Sequence, residues 1–258
     1  MKTLCLPVLA VALFSCGTVP RVDVMPAYGE FSVDGSLGAS TGGASVVSQD
    51  LASLGIDGAE SGSAGRATLK WLGFQLALSG FGTDYSGSGT TTAAIDINGD
   101  TIMAGAAVDS SLDLHYTTAA LTFDIFPGST FDLGLGLGIT AIDMDLRLTE
   151  TMASNTLTAD EQIPLPQLSL RSAANFGRFG LYGDLGWISG NYGDFDGELL
   201  DIDVAGRLRL FGSGKRLVGH ATVGYRYVDT NFLYDDGGDT LDVDLLSDGP
   251  YLGITFSF

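Results

Sequence analysis

Two histidines, His115 and His220, have the side-chain type best suited to acid–base chemistry near neutral pH. Nucleophilic catalysis would require a serine or a carboxylate close to one of them. His115, in DLHYTT, has only Asp113 close by, and His220 lies in GHAT with no acid beside it. A lone histidine in a strand is usually structural. The sequence therefore singles out no catalytic residue.

Two short acidic segments contain the residue types that bind divalent cations. Carboxylates are preferred ligands of Ca²⁺ and Mg²⁺, but neither segment completes the spacing of an EF-hand loop. A solvated acidic surface is the favoured interpretation, and divalent-cation binding is the alternative hypothesis. The candidate residues are Asp96 and Asp100 in DINGD, and Asp235, Asp236 and Asp239 in DDGGD.

The composition limits both the fold class and the partners. The chain has 258 residues, is 45% hydrophobic, contains 37 Gly and carries a formal net charge of -19. It is too apolar to be disordered, and too acidic to hold nucleic acid by counterion release. No nucleic-acid partner and no cofactor are expected. The run GLGLG at 134–138 lacks the following helix and the spacing of a nucleotide-binding loop.

The first residues have the pattern of an export signal. LCLPVLAVALF, residues 4–14, follows Lys2 and is too short for a transmembrane helix. We therefore predict a signal peptide over 1–16. The sequence LFSC at 13–16 resembles a lipoprotein box, in which Cys16 would be lipidated, and ordinary cleavage after Gly17 is the alternative. Both cysteines fall in this region, so no disulfide is expected in the mature chain.

The remaining chain alternates apolar and polar residues in segments long enough to cross a membrane as strands. Tight Gly or Pro breaks alternate with longer polar ones. We predict an all-β fold, an antiparallel transmembrane β-barrel of eight strands over 63–258, with 17–62 as a periplasmic tether or plug. The predicted strands are 66–86, 106–126, 130–151, 161–176, 179–192, 198–211, 216–234 and 239–258.

A barrel of ten strands is the alternative. It would require 31–39 and part of 91–104 to enter the wall. The segment AAIDINGDTIMA contains Asn-Gly between short apolar arms, which favours a two-residue hairpin. Because these arms are too short to span a bilayer, a hairpin in an outer loop is the preferred interpretation.

The last strand, YLGITFSF, alternates to its final residue. Tyr251, Gly253, Phe256 and Phe258 resemble the C-terminal recognition signal of bacterial outer-membrane barrels. The chain from 66 to 258 resembles, in architecture, the small families of the OmpA, OmpX and OmpW kind. This resemblance implies location in the outer membrane, contact with its lipid and lipopolysaccharide, and assembly by the barrel-assembly machinery.

The alternation also assigns charged residues to the barrel interior. Charges in a narrow lumen must pair, because an unpaired buried charge is costly. A salt-bridged, closed barrel is the favoured interpretation, since eight strands enclose only enough room for side chains or one small ligand. A narrow pore is the alternative. The predicted lumen charges are Arg171, Asp184, Arg207, Arg209, His220 and Arg226.

Three classes of function remain. A non-catalytic protein with an envelope-structural role or with loops for adhesion is first, and a narrow channel for ions or small solutes is second. An enzyme that modifies lipid A is a distant third, because it needs a histidine near the outer leaflet. His220 is predicted near the periplasmic end, and His115 near the middle of its strand.

Overall fold

The computed structural model describes residues 20–40, 47–97, 100–153, 155–192, 195–212, 217–236 and 239–258. These residues form antiparallel strands and one short 3-10 helix, Ala52–Leu54. The strands are β1 (Arg21–Ser40), β2 (Val47–Asp50), β3 (Ala59–Trp71), β4 (Phe74–Thr90), β5 (Ile95–Ile97), β6 (Asp100–Ile102), β7 (Ala107–Phe126), β8 (Phe131–Glu150), β9 (Thr156–Phe176), β10 (Phe179–Tyr192), β11 (Phe195–Phe211), β12 (Val218–Asp236) and β13 (Asp239–Ser257).

The long strands follow the two-residue period of their sequences. On β7, Leu112, Leu114 and Tyr116 are almost fully buried, whereas Leu121 and Phe123 are each 53% exposed. Successive side chains of a strand point to opposite faces. One face of the sheet therefore lines an interior, and the other forms an exposed outer wall.

Ten of these strands close into a ring. The order is β1, β3, β4, then β7 to β13, and β13 pairs with β1. At the seam, the Phe258 amide donates to the Val22 carbonyl at 2.8 Å, and the Val22 amide donates to Phe258 at 3.3 Å. The predicted antiparallel barrel is confirmed, with the ten strands of the alternative count.

The predicted ten-strand alternative is right in one part: 31–39 enters the wall within β1, whereas β5 and β6, the strands within 91–104, form a separate sheet. The predicted single strand 66–86 is wrong, because β3 and β4 form a hairpin through Leu72 and Gly73. Both turn residues have positive φ, 51° and 83°, as a type I′ turn requires. Leucine is rare in that conformation, so the sequence WLGF does not look like a turn.

The prediction that residues 17–62 form a periplasmic tether or plug is also corrected. Residues of β1 pair with β13 on one side and with β3 on the other, so 21–40 belong to the barrel wall. Without β1, the ring would have two unpaired edges, which a membrane does not tolerate. The predicted signal segment 1–16 and Cys16 lie outside the described residues.

The ring has two different ends. The terminal end holds Arg21 and Phe258 together with the short turns after β3, β7, β9 and β11. The loop end holds the longer connections after β1 and β4. The predicted outer-loop hairpin is confirmed as the separate two-stranded sheet β5–β6, although Asn98 and Gly99 lie outside the described residues.

The connection after β1 turns back into the barrel mouth. Leu51, Leu54 and Ile56 have at most 1% exposure. The backbone of Gly55 approaches β4 so closely that a Cβ on Gly87 would overlap it. We call residues 47–57 the plug segment.

No helix among the described residues is long and apolar enough to cross a membrane.

Candidate functional site

The outer wall changes character halfway along the barrel. Near the terminal end, its outward side chains are large, apolar and exposed. They include Phe74, Leu76, Leu121, Phe123, Phe131, Leu135, Leu137, Leu168, Phe179, Leu181, Val204, Leu252, Ile254 and Phe258. Tyr28, Trp187 and Tyr225 stand at the far border of this belt and are also exposed. An outward apolar band bordered by aromatic residues is the lipid-facing surface of a membrane barrel.

The fold is a transmembrane β-barrel. Such barrels belong to the outer membrane of bacteria, so the predicted location follows from the belt and the closed ring. A strand of 20 residues such as β7 spans about 50 Å along the axis at a tilt near 40°. The hydrophobic band needs only about 25 Å. The loop-end half therefore projects out of the bilayer.

The projecting half is acidic on its outer face. Asp84, Asp113, Asp145 and Asp160 are direct neighbours on four consecutive strands. We call these four residues the aspartate row. Partial burial and the carboxylates of Asp84 and Asp145 raise the pKa of Asp113, which lies beyond the apolar belt. Like charges directly opposite each other destabilise a sheet, so the row lowers the stability of the wall when it is ionised.

Asp113→Asn should stabilise the barrel by about 0.5 kcal/mol at neutral pH, because it removes one charge from the row. A raised folded pKa means that the stability linked to Asp113 is present in acid and lost as pH rises through the folded pKa. The stability gained by Asp113→Asn should therefore vanish near pH 3. Urea unfolding in lipid vesicles at both pH values measures it. Ser111→Asn, on the same face of β7, is the control, and an equal gain at both pH values would contradict the prediction.

The lumen near the terminal end is charged and contains a cavity. A cavity of about 100 Å³ is lined there by Arg21, Asp23, Lys70, Arg171 and Arg207, among others. Arg207 donates to Asn175 Oδ1 at 2.8 Å and lies 3.9 Å from Asp23. We call this cavity the vestibule; it lies at the end of the barrel that carries Arg21 and Phe258.

Arg171 is the centre of a buried ion cluster above the vestibule. Its guanidinium pairs with Asp132 at 2.7 Å and with Asp124. Lys70 bonds to Asp124 at 3.0 Å and also contacts Asp132. A Cβ at Gly134 would lie 2.7 Å from Arg171 Nη2, so a glycine at that position leaves room for the guanidinium. Two cations therefore neutralise two buried aspartates.

The middle of the lumen is a dense polar network. Arg226 donates two hydrogen bonds to Asp201, at 3.0 and 2.7 Å, and its guanidinium lies 5.0 Å from the ring centre of Phe81. Tyr251 donates to Asp203 at 2.6 Å. Arg66 pairs with Asp184 from across the barrel. Bidentate arginine–carboxylate pairs are strong and fix geometry.

Above this network the interior is apolar. Phe81 stacks on Tyr116 with ring centres 4.9 Å apart and contacts Phe31 at 4.7 Å. Beyond this aromatic layer, fully buried side chains fill the loop-end half of the barrel and pack against the plug segment. They include Val33, Leu51, Leu54, Ile56, Leu112, Leu114, Ile142, Leu148, Leu199, Val228, Val243 and Leu245.

The six predicted lumen charges occupy inward positions, but they do not form one network. Arg171, Arg226 and Asp184 each pair with a residue outside the predicted set, as described above. Arg207 donates a hydrogen bond to Asn175. Arg209 lies at the terminal end, where its backbone carbonyl accepts a hydrogen bond from the Arg178 side chain at 3.3 Å. Among the described residues, no salt bridge joins two of the six. The main partners missed were Arg66, Lys70 and Asp201.

The histidines lie in different places. His220 is buried near the vestibule, and its Nδ1 has no partner in the described part of the chain. His115 is exposed on the outer wall, directly opposite Asp143 and Gly82, and Ser63 lies on the next strand beyond Gly82. Among the described residues, no hydrogen bond joins the side chains of His115, Asp143 and Ser63.

The candidate cation loops lie at the loop end, as predicted. The backbone pairs Asp96 with Thr101 and Asp236 with Asp239. The side chains of Asp96, Asp100, Asp235, Asp236 and Asp239 are outside what the structure describes. Among the side chains that it does describe, no group of three or more His, Cys, Asp or Glu is arranged to hold a metal ion.

The proposed assembly-signal residues divide between the two faces. Tyr251 points inward and bonds to Asp203 and Tyr182. A Cβ on Gly224 would lie within 2.8 Å of the Tyr251 ring. Phe258 is 59% exposed on the outer wall. Tyr251 therefore has a structural role in the lumen, which the terminal pattern alone did not indicate.

Comparison with known proteins adds little to this description. No protein-family model matches the chain, and no curated protein matches it. Among solved structures, the attachment invasion locus protein Ail of Yersinia pestis, in complex with a heparin analogue, is 10% identical, with a TM-score of 0.36 over 93% of this chain and 100% of that chain.

Two further structures are similar at the same level. The translocator domain of autotransporter NalP from Neisseria meningitidis is 13% identical, with a TM-score of 0.36 over 96% of this chain and 92% of that chain. A FadL homologue of Pseudomonas aeruginosa is 10% identical, with a TM-score of 0.29 over 93% and 90%.

Proposed function

We propose that the protein is a barrel of the outer membrane that neither conducts nor catalyses a reaction. Its role is to present a rigid acidic surface beyond the bilayer, which contacts the cell envelope or external partners. The observation that supports this most is the closed interior. The polar lumen ends at the layer of Phe31, Phe81 and Tyr116, and buried apolar side chains and the plug segment fill the space beyond it.

The acidic outer half gives the proposed contact its chemistry. In the aspartate row, Asp84, Asp113 and Asp160 are exposed and Asp145 is half-buried. The cations Arg66, Lys70, Arg171 and Arg226 are instead held inside the lumen. Lipopolysaccharide phosphates would be repelled by this surface unless divalent cations bridged them. A cationic partner or bridged lipopolysaccharide is therefore the favoured contact.

Refolded protein in a planar bilayer should give no reproducible current steps, because apolar side chains block the lumen. The sample should first show different gel mobilities when unheated and when boiled, which indicates a closed barrel. A porin of known conductance in the same bilayer controls for insertion. Steady current steps from protein that passes the mobility test would instead support the alternative, a narrow channel for ions or small solutes.

The non-catalytic part of the proposal is tested separately. His115→Ala and His220→Ala should leave the lipid A species of an expressing strain unchanged, as measured by mass spectrometry against an empty-vector strain. A modified lipid A species that is present with the unaltered protein and absent with His115→Ala would support the enzyme alternative.

A further inference from the structure

The loop-end mouth contains an apolar pocket that is separate from the charged lumen. The barrel wall, the plug segment and the β5–β6 hairpin all contribute to it. Its lining includes Leu37, Leu54, Ile95, Met144, Leu148 and Ala159, and its volume is about 50 Å³. The pocket lies on the far side of the aromatic layer from the ion cluster, so its occupancy does not depend on whether the barrel conducts.

Gln49 contributes a polar group to this apolar lining. Its side chain is only 3% exposed. Its Oε1 accepts from the Thr92 amide at 2.9 Å and lies 3.0 Å from Thr92 Oγ1. Because a backbone N–H can only donate, the atom facing Thr92 must be the oxygen. The orientation of the amide group is therefore fixed by the backbone.

The fixed orientation leaves Nε2 as a free donor. This nitrogen is buried and has no hydrogen-bond partner among the described residues. Buried polar groups are nearly always satisfied, and an unsatisfied donor is costly. A ligand oxygen that reached Nε2 would remove this cost while the rest of the ligand contacted leucine side chains.

We propose that this pocket binds a small uncharged amphiphile that has a short alkyl or ring-shaped body and one carbonyl or hydroxyl oxygen. The apolar lining selects the body, and Gln49 Nε2 donates to the oxygen. Glu161 also lines the pocket, and the surrounding wall is acidic, so carboxylate ligands are disfavoured. At about 10–15 Å³ for each water-sized group, the cavity holds roughly four such groups.

The methionines give a direct test of this proposal. The full chain, labelled with ¹³C at the methionine methyl groups and refolded in lipid nanodiscs, would be titrated with acetone, whose four non-hydrogen atoms match the cavity volume. Met144 lines the pocket. Met25 is buried beside the vestibule at the terminal end. Met103 and Met152 are 68% and 92% exposed. We expect a saturable shift of the Met144 resonance, with Met25 unchanged and no saturable shift for the exposed pair.

Variants identify the donor. Gln49→Leu removes the amide and should weaken acetone binding about three- to tenfold, the range for one neutral hydrogen bond. Gln75→Leu is the matched control, because Gln75 is buried on β4 outside the pocket and should not affect binding. Acetate, which has as many non-hydrogen atoms as acetone, should bind more weakly than acetone because it is repelled by the acidic surroundings.

Ala159→Phe keeps the Gln49 donor but fills the pocket, so it should abolish the shift of the Met144 resonance. This variant tests the proposal even if Gln49→Leu does not refold. The mobility test on gels checks the folding of each variant. The proposal is overturned if the Met144 shift does not saturate, if the exposed methionines follow the same curve, or if Gln49→Leu and the unaltered protein bind acetone equally. Because current is not the readout, a conducting barrel would leave this result unaffected.

Discussion

Arg226→Met should lower the free energy of unfolding of the barrel by about 3–5 kcal/mol, since it leaves a buried carboxylate without its cation. Arg226 is 4% exposed and Asp201 is 7% exposed, and the two form a bidentate pair in the middle of the lumen. Methionine can retain the packing against Phe81, so lost volume does not account for the effect.

Urea unfolding in lipid vesicles, followed by the fluorescence of Trp71 and Trp187, measures this change. Arg147→Met is the matched control, because Arg147 is an exposed arginine on the outer wall of β8. Its effect should stay within about 0.5 kcal/mol, as for ordinary surface substitutions.

A double variant separates the unpaired charge from lost packing. Adding Asp201→Asn to Arg226→Met removes the unpaired carboxylate, so much of the lost stability should return. If the double variant is as unstable as Arg226→Met alone, the ion pair does not explain the loss. A loss below about 1 kcal/mol for the single variant would show that water reaches the pair and screens it.

The long strands could be predicted from the sequence because their physical cause is local. A strand that faces lipid on one side and a lumen on the other must alternate with period two. The predicted strand 106–126 accordingly corresponds to β7, Ala107–Phe126. The tight breaks were equally visible, since glycine and proline mark turns wherever the rest of the chain lies.

The first strands were missed because their local signals conflict with their structure. β1 contains Pro26, Gly29 and Gly35, residues that normally end strands. Its position is determined by pairing to β13, more than 200 residues later in the chain. The β3–β4 turn places Leu72 at positive φ, which no propensity favours. Closure of the ring outweighs both local preferences.

The pairing of lumen charges also depends on closure. Asp184 is the direct register neighbour of Arg171, so the two side chains would pair if strand register alone decided their partners. In the barrel, Arg66 reaches Asp184 from β3 across the lumen, while Arg171 turns toward Asp124 and Asp132. Which side chains meet is decided by the diameter and curvature of the ring, and neither quantity is encoded in a single strand.

Leu54→Asp should release the plug segment from the barrel mouth while the wall remains closed. Leu54 is 1% exposed and packs in the apolar half of the interior. A carboxylate there would cost several kcal/mol unless it moved to water. The wall is held by continuous strand pairing, whereas the plug segment joins it through the short strand β2. The least costly response is for the segment to swing outward.

Protease added to protein in sealed vesicles measures this release. Cleavage within residues 47–57 should be at least about tenfold faster for Leu54→Asp, because a shift of 1.4 kcal/mol in the opening equilibrium already gives a tenfold change. Leu72→Asp is the matched control, since Leu72 is 56% exposed at a terminal-end turn. Leu54→Met should retain the slow cleavage of the unaltered protein.

The same variant separates two causes of a closed lumen. If the plug segment alone seals the barrel, Leu54→Asp should produce current steps in the planar bilayer. If the aromatic layer and the wall side chains Leu112 and Leu114 seal it, cleavage should accelerate while the bilayer stays silent. We expect silence, because these wall residues are fully buried and fill the interior at this level together with the aromatic layer. Unchanged cleavage would instead mean that the plug segment is not held by the burial of Leu54.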